Sequence, residues 1–247
     1  PLGQKTSYSY ASSGDVIARR SPLGHEWKYG WDIGGNLETV TDPQGATTRH
    51  SYDQEGLLVS ITEPPRVLGQ PGAQTQLLRD PLGRVREVRF SDGATRKFGY
   101  HPTDQITQFV DENGDVTRWR YLACGFLAEE VKPLGHRIQY LWNSEPGQLA
   151  SIVNERGERY SFAYDPEGRV IEEIDFGGRQ SSYEYDRDGN VCAAIDSAAR
   201  KTKFRRGKKG ELLAASYSGG SQVSLRYDAR GLVVEARNPS VTVEREY

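Results

Sequence analysis

The side chains best suited to catalysis or metal binding are few and far apart in this sequence. They are four histidines and two cysteines: His25, His50, His101, His136, Cys124 and Cys192. His25 and His136 share one position of an internal repeat, but five repeats separate them, on the order of 50 Å along a sheet. A shared metal site would require the chain to return to the same place. We therefore predict no metal, no cofactor, no disulfide and no enzymatic activity.

Acidic and basic clusters also fall in positions that favour a structural interpretation. Aspartates that follow an aromatic or basic residue and precede a glycine by three positions recur along the chain, among them Asp53, Asp80, Asp165, Asp186 and Asp228. An aspartate at that position hydrogen-bonds the turn backbone, so we interpret them as turn caps, with calcium binding by stacked turns as the alternative. The basic run 205–209 lies in a turn of a nearly neutral chain, which favours a solvated turn over a phosphate site.

A period of 21 residues organises the whole sequence. An aromatic anchor recurs at this spacing, at Tyr10, Trp31, Tyr52, Tyr100, Tyr121, Trp142, Tyr164, Tyr185 and Tyr227, and Arg79 and Arg206 occupy two further anchor slots. A glycine follows the anchor by four residues, or by five after Trp142, at Gly14, Gly35, Gly56, Gly83, Gly125, Gly147, Gly168, Gly189, Gly210 and Gly231. Two residues later comes an aliphatic residue, from Val16 to Val233. These anchors and turn glycines are the predicted structural site residues, and no catalytic, cofactor or metal residue is predicted.

Each 21-residue unit predicts two strands and two turns. Strands of about seven residues joined by short turns must pair as antiparallel neighbours. The sequence therefore predicts an all-β array of about 22 strands, with the anchors and the residues two positions before them paving one face with rings. Twist and the need to cover that face predict a spiral, cocoon-like wall. A β-propeller is the alternative, although its blades would make odd and even units differ.

Composition places limits on the class of protein. The net charge is −2 and the mean hydropathy is −0.71, so neither nucleic acid binding nor membrane insertion is expected. The absence of methionine and an initial proline suggest one segment of a longer chain. We expect a single array of about 11 hairpin units over residues 1–247, interrupted by a proline-rich loop at 63–74. That loop is either a docking point or a tolerated insertion.

The repeat resembles the YD repeat of the Rhs family, which includes bacterial polymorphic toxins, Tc toxin components and teneurins. The unit Tyr164-Asp165-Pro166-Glu167-Gly168-Arg169 and the segment Asp80-Pro81-Leu82-Gly83-Arg84 are typical of the bacterial branch. The pattern covers nearly the whole chain and departs from it at Asp104, Arg79, Arg206 and Ala198-Ala199. The family's autoproteolytic Asp-Pro-x-Gly-Leu motif is absent from this sequence.

The resemblance implies a secreted, extracellular toxin shell that encapsulates a C-terminal toxic cargo. The implied partners are neighbouring YD repeats of the same polypeptide, its cargo, an N-terminal plug or head, and components of a secretion system. The alternative is an extracellular adhesion or carbohydrate-binding module, as the teneurin resemblance implies. Its sugar-stacking rings would be Trp27, Trp31, Trp119 or Trp142.

Overall fold

The computed structural model describes residues 5–67, 69–145 and 147–245. This part of the chain is all-β apart from one 3₁₀ turn at Pro133–Gly135, and it has no helix that could cross a membrane. The chain divides into two compact units, residues 1–119 and 120–247, which are described separately. The residues Pro1-Leu2-Gly3, which fit the end of a repeat in the sequence, and the final anchor-like Tyr247 lie outside the described residues.

The first unit consists of short strands joined by tight turns. They are β1 (Ser7–Tyr10), β2 (Val16–Arg20), β3 (Glu26–Trp31), β4 (Leu37–Thr41), β5 (Thr47–Tyr52), β6 (Leu58–Thr62), β7 (Gln74–Arg79), β8 (Val85–Arg89), β9 (Thr95–Tyr100) and β10 (Ile106–Val110). Strand β11 (Val116–Tyr121) crosses the boundary between the units.

The second unit repeats the same arrangement. Its strands are β12 (Leu127–Val131), β13 (Arg137–Trp142), β14 (Leu149–Val153), β15 (Arg159–Tyr164), β16 (Val170–Ile174), β17 (Gln180–Tyr185), β18 (Val191–Ile195), β19 (Lys201–Arg206), β20 (Leu212–Tyr217), β21 (Gln222–Tyr227), β22 (Val233–Arg237) and β23 (Thr242–Glu244).

Every strand pairs antiparallel with its neighbours in chain order, from β1 to β11 in the first unit. The same holds from β12 to β23 in the second. The predicted antiparallel repeat array is therefore confirmed. The propeller alternative is wrong for both units, because separate four-stranded blades would interrupt the pairing. The spiral wall remains a prediction.

Both turns of a repeat use one hairpin geometry. At the Asp80 turn, the amide of Asp80 donates to the carbonyl of Arg84 and the amide of Gly83 donates to the carbonyl of Asp80, both at 2.9 Å. Asp80 Oδ1 accepts the amides of Leu82 and Arg84, both at 3.0 Å. Gly83 has a φ of 79°, the left-handed conformation that completes such a three-residue loop. These five-residue turns occupy so much of the repeat that the strands are three to six residues long, shorter than predicted.

A β-bulge accompanies the anchor in each hairpin whose pairing is described at that point. Between β5 and β6, Ser51 lies opposite Ser60 and Tyr52 lies opposite Leu58, which leaves Val59 as the extra residue. A bulge disrupts the local ladder and increases the twist of the strand pair. The anchor consequently lies where the bulge interrupts the regular backbone hydrogen bonding.

The buried residues of the described part are small. They are Ala128, Ser151, Ala193, Ala214 and Ala215. Ala193 lies on the face opposite the anchors, between its cross-strand neighbours Glu184 and Lys203. Most rings on the anchor face are half-buried, because packing against neighbouring strands covers only part of each ring.

The proline-rich insertion links β6 to β7. Its ends are held together by a hydrogen bond from the amide of Glu63 to the carbonyl of Ala73, at 2.8 Å. Gly72 lies so close to the carbonyl of Glu63 that a Cβ there would clash with it. Since β7 begins at Gln74, the connection covers 63–73, one residue shorter than the predicted loop.

Candidate functional site at the joints between repeats

Each anchor is the last residue of an odd-numbered strand, and most of the anchor side chains reach back to the preceding repeat. Tyr52 Oη donates to the carbonyl of Leu37, the first residue of β4, at 2.9 Å. The described pairing between β4 and β5 ends at Thr39 and Arg49, two residues short of Leu37. The tyrosine hydroxyl therefore closes the end of the strand pair that the backbone leaves open. We call this side-chain-to-carbonyl bond the joint.

The same joint recurs along both units, always from an anchor to the aliphatic residue that opens the preceding even-numbered strand. The bonds run from Trp31 to Val16 (2.9 Å), Tyr100 to Val85 (2.7 Å), Trp142 to Leu127 (2.7 Å), Tyr164 to Leu149 (2.9 Å), Tyr185 to Val170 (2.6 Å) and Tyr227 to Leu212 (2.9 Å). The donor is the indole N–H in tryptophan and the phenol in tyrosine. In each of these repeats, one aliphatic carbonyl is thus bound by the repeat that follows.

Arginine makes the same joint at the two anchor positions that lack a ring. Arg79 Nη2 donates to the carbonyl of Leu58 at 2.9 Å, and its Nη1 donates to the carbonyl of Gly83 at 2.8 Å. Arg206 Nε lies 3.4 Å from the carbonyl of Val191, and its Nη1 lies 3.0 Å from the carbonyl of Gly210. The two departures from the sequence pattern therefore retain the donor and lose only the ring.

A second contact joins consecutive repeats through the residue that follows the turn glycine. The guanidinium of Arg84 lies 4.6 Å from the ring centre of Tyr100, and that of Arg169 lies 4.7 Å from the ring centre of Tyr185. In a third repeat, Phe126 stacks on Trp142 with 4.6 Å between ring centres. Cation–π and stacking contacts of this kind orient the ring that makes the joint.

Charge pairing connects the joint to the turn. Arg84 forms an ion pair with Asp80 at 2.7 Å and a second with Asp104 at 2.8 Å. The hydrogen bond from Arg84 holds the pKa of Asp80 below its ordinary value, although partial burial acts in the opposite direction. Asp165 and Arg169 form the equivalent pair at 2.7 Å. The same aspartate thus caps its turn and fixes the arginine that touches the next anchor.

The structure also places the remaining predicted structural residues. Tyr10 ends β1 and is 60% exposed, and Tyr121 ends β11. The ten predicted turn glycines all have positive φ, between 77° and 94°. Asp104 and Ala199, which replace glycine in two turns, adopt the same conformation with φ of 69° and 57°. Their collective role in holding the array together remains a proposal.

The other side chains considered for chemistry are not assembled into a site. Cys124 is exposed, Cys192 is half-buried, and both are free thiols. Within the described ranges, no group of three histidine, cysteine or acidic residues could hold a metal ion. Of the tryptophans considered for sugar stacking, Trp31 and Trp142 make joints and Trp27 lies 5.0 Å beneath the guanidinium of Arg19.

Sequence reasoning missed one polar cluster on the anchor face of the second unit. Glu173 accepts hydrogen bonds from Tyr160 at 2.8 Å and from Tyr183 at 2.5 Å. The bond to Glu173 and burial raise the pKa of Tyr183 to about 12. An acidic residue on the face that carries the rings, opposite Phe162, is the signal that could have identified it.

Comparison with known protein families agrees with this geometry. A family model described as RHS Repeat matches residues 10–47, 34–64 and 147–180. A curated relative, the double-stranded DNA deaminase toxin A of Burkholderia cenocepacia (strain H111), is 32% identical over 93 residues. The match covers 38% of this chain but only 6% of that protein.

Two solved structures share the fold across almost the whole chain. They are the Photorhabdus luminescens Tc holotoxin pore and the TcdB2-TccC3 complex without its hypervariable C-terminal region. Each matches with a TM-score of 0.58 and 14% identity, over 97% of this chain and 16% of the other. The chain thus carries RHS repeats over the matched residues and shares the fold of these two toxin structures.

Proposed function

We propose that this chain is a structural segment of an Rhs/YD-repeat toxin shell, which encloses a toxic cargo from the same polypeptide and protects it during secretion. The observation that carries the proposal is the recurring joint, as between Tyr164 and Leu149. Joints in consecutive hairpins link the strands at the end that the backbone leaves open. A wall built in this way would exclude proteases sterically and needs no catalytic residue.

The comparisons support a toxin context for this structural role. The curated relative is named as a toxin, and the solved structures of the same fold belong to Tc toxin assemblies. We infer that neighbouring YD repeats and the cargo are the principal partners of this chain. A plug or head domain and the secretion machinery would be further partners, and the assembled shell would act outside the cell that produces it.

The test is protease protection of the cargo in the longer polypeptide that contains this segment. We expect the enclosed cargo to survive a protease exposure that digests the free cargo. The triple variant Tyr164→Phe, Tyr185→Phe, Tyr227→Phe keeps the rings but removes three joint donors, so it should speed digestion. Leu141→Ala, a change at a residue that is 40% exposed, serves as the control. Cargo digested at the rate of free cargo would show that this segment does not enclose it.

A further inference from the structure

The face of the second unit opposite the anchors carries two cations that lack a counter-charge. Lys203 and Arg205 lie two residues apart on β19, and both are exposed. Within the described part of the chain, neither side chain has an ion-pair or hydrogen-bond partner. Their neighbours across the strand pairs are Ala193 and Ala214, each only 2% exposed. An alanine offers a cation neither a charge nor a hydrogen-bond acceptor.

Equivalent cations in other repeats lie opposite a glutamate. Arg226, which has on β21 the position that Arg205 has on β19, lies 2.8 Å from the carboxylate of Glu235. Lys97 has on β9 the position of the β19 lysine, and it lies opposite Glu87 on β8. In β18 and β20, alanine occupies the position of that glutamate. The array therefore supplies carboxylates at this position elsewhere and omits them around β19.

Two acidic side chains near these cations are already engaged. Glu184, the neighbour of Ala193 on β17, accepts hydrogen bonds from Lys201 at 2.6 and 2.8 Å. Glu211 turns back into its own loop, where its carboxylate accepts the amide of Lys209 at 2.9 Å. Both carboxylates thus have partners other than the two cations of β19.

Two further lysines extend the basic surface into the turn after β19. Lys208 and Lys209 are exposed, and their side chains have no ion-pair partner among the residues that the structure describes. We call Lys203, Arg205, Lys208 and Lys209 the β19 basic patch. Cations clustered on one surface create a local positive potential, which attracts a negatively charged partner and selects against a positively charged one.

The surroundings of the patch favour carboxylates over other anions. The described residues that β18 to β20 pair on this face are Ala193, Ile195, Lys201, Lys203, Arg205, Ala214 and Ser216. None of them carries an aromatic ring, so nucleic acid bases have no stacking surface there. The net charge of −2 gives an extended polyanion or an anionic membrane no long-range attraction to the chain. Alternate residues of a strand are about 6.6 Å apart, so an extended peptide with acidic residues at alternate positions matches the spacing of the two β19 cations.

We propose that the β19 basic patch is a docking site for an acidic polypeptide segment, whose carboxylates pair with Lys203 and Arg205 as glutamates pair with the equivalent cations of other repeats. The partner then supplies from outside the charges that are missing at Ala193 and Ala214. This inference rests on the pairing pattern and not on the shell function. Its failure would leave the cargo-protection experiment unaffected.

The test is fluorescence anisotropy with the purified chain and a labelled peptide of alternating glutamate and serine. We expect saturable binding at low ionic strength that weakens as salt is added, because exposed ion pairs are screened. A peptide of alternating glutamine and serine should not bind. The double variant Lys203→Gln, Arg205→Gln should weaken binding by about tenfold or more. The double variant Ala193→Glu, Ala214→Glu provides the counter-charges within the chain, so it should weaken binding to a similar degree.

The double variant Lys28→Gln, Lys97→Gln is the matched control. It removes as much charge from β3 and β9, at the strand position that Lys203 has on β19, so binding should stay within about twofold of the original chain. Circular dichroism and thermal unfolding establish that each variant still folds. Equal weakening by the control, or binding that survives both patch variants, would overturn the proposal.

The remaining outcomes also decide against it. Absence of binding to the glutamate–serine peptide would overturn the proposal, as would tighter binding of oligothymidylate or of phosphatidylglycerol vesicles than of that peptide. Self-association of the chain that is lost in the Lys203→Gln, Arg205→Gln variant, without peptide binding, would identify a second copy as the occupant instead.

Discussion

A tyrosine phenol, a tryptophan indole and an arginine guanidinium all place a hydrogen-bond donor at the end of a long side chain. In this protein all three occupy the anchor position and reach the same carbonyl of the preceding repeat, as Tyr52, Trp31 and Arg79 do. The anchor position therefore depends on reach and donor capacity more than on aromaticity. The ring contributes a further contact where Arg84, Phe126 or Arg169 packs against it.

Substitutions at Arg79 test this rule. Arg79→Leu removes the donors to Leu58 and Gly83 and should lower the free energy of unfolding by about 2 kcal/mol. Arg79→Tyr supplies the donor that most other repeats carry, so its free energy of unfolding should lie within about 0.5 kcal/mol of that of the original chain. Urea unfolding measures both. Equal destabilisation by leucine and tyrosine would show that the donor is not what matters at this position.

Ala199 offers a second test at the level of one residue. It occupies the left-handed position of its turn, with φ of 57°, where other repeats carry glycine. Ala199→Gly should raise the free energy of unfolding by about 1 kcal/mol, because an L-residue pays a steric cost there. Gly178→Ala at the same turn position one repeat earlier provides the reciprocal control and should destabilise, although no atom lies within 4 Å of the new Cβ. Stabilisation by both changes would contradict this explanation.

At the scale of the hairpin, the turn carboxylates link stability to acidity. Asp80, Asp196 and Asp175 have pKa values held below the ordinary value: Asp80 and Asp196 first by hydrogen bonds from an arginine side chain, Asp175 first by the amide of Arg179. A carboxyl with a lowered folded-state pKa stabilises the fold above its unfolded pKa and ceases to do so as the pH falls through the folded value.

We therefore expect the melting temperature to be nearly constant near neutral pH and to fall as the pH drops below about 4. The triple variant Asp80→Asn, Asp175→Asn, Asp196→Asn should have a lower melting temperature at neutral pH. Its melting temperature should also fall less when the pH is lowered. Thermal unfolding followed by circular dichroism across this pH range measures the effect. An unchanged acid slope in the triple variant would mean that these turns do not set the acid limit.

The elements of the fold were predictable because glycine and aspartate mark the turns by their own backbone chemistry. The period and the ends of the strands follow from residues such as Gly168 and Tyr164 in the sequence alone. The joint was not predictable, because strand alternation gives the face of a side chain but not the atom that its tip reaches. Arg79 and Arg206 therefore looked like exceptions. A groove lined by Tyr183 and Tyr217 was missed because its outline depends on four neighbouring strands at once, β17 to β20.

At the scale of the whole molecule, stability should be local, because each joint connects only consecutive repeats. Tyr227→Phe removes the donor to Leu212 and should increase amide exchange in β20 to β22. Exchange in β13 to β15 of the same unit should stay unchanged, as expected for arrays stabilised by nearest neighbours. Native-state hydrogen exchange with mass spectrometry measures both regions. A uniform increase across residues 120–247 would indicate a cooperative unit instead.

The joint between Arg79 and Leu58 persists although the insertion at 63–73 lengthens the chain between them. An insertion in a turn thus leaves the joint between repeats intact. Each repeat also carries the same kind of donor and acceptor as the repeat before it. Unequal recombination between gene copies could therefore add or remove whole 21-residue blocks without creating an unmatched boundary. During evolution the number of repeats in the array could then change, while the contacts within and between repeats stayed the same.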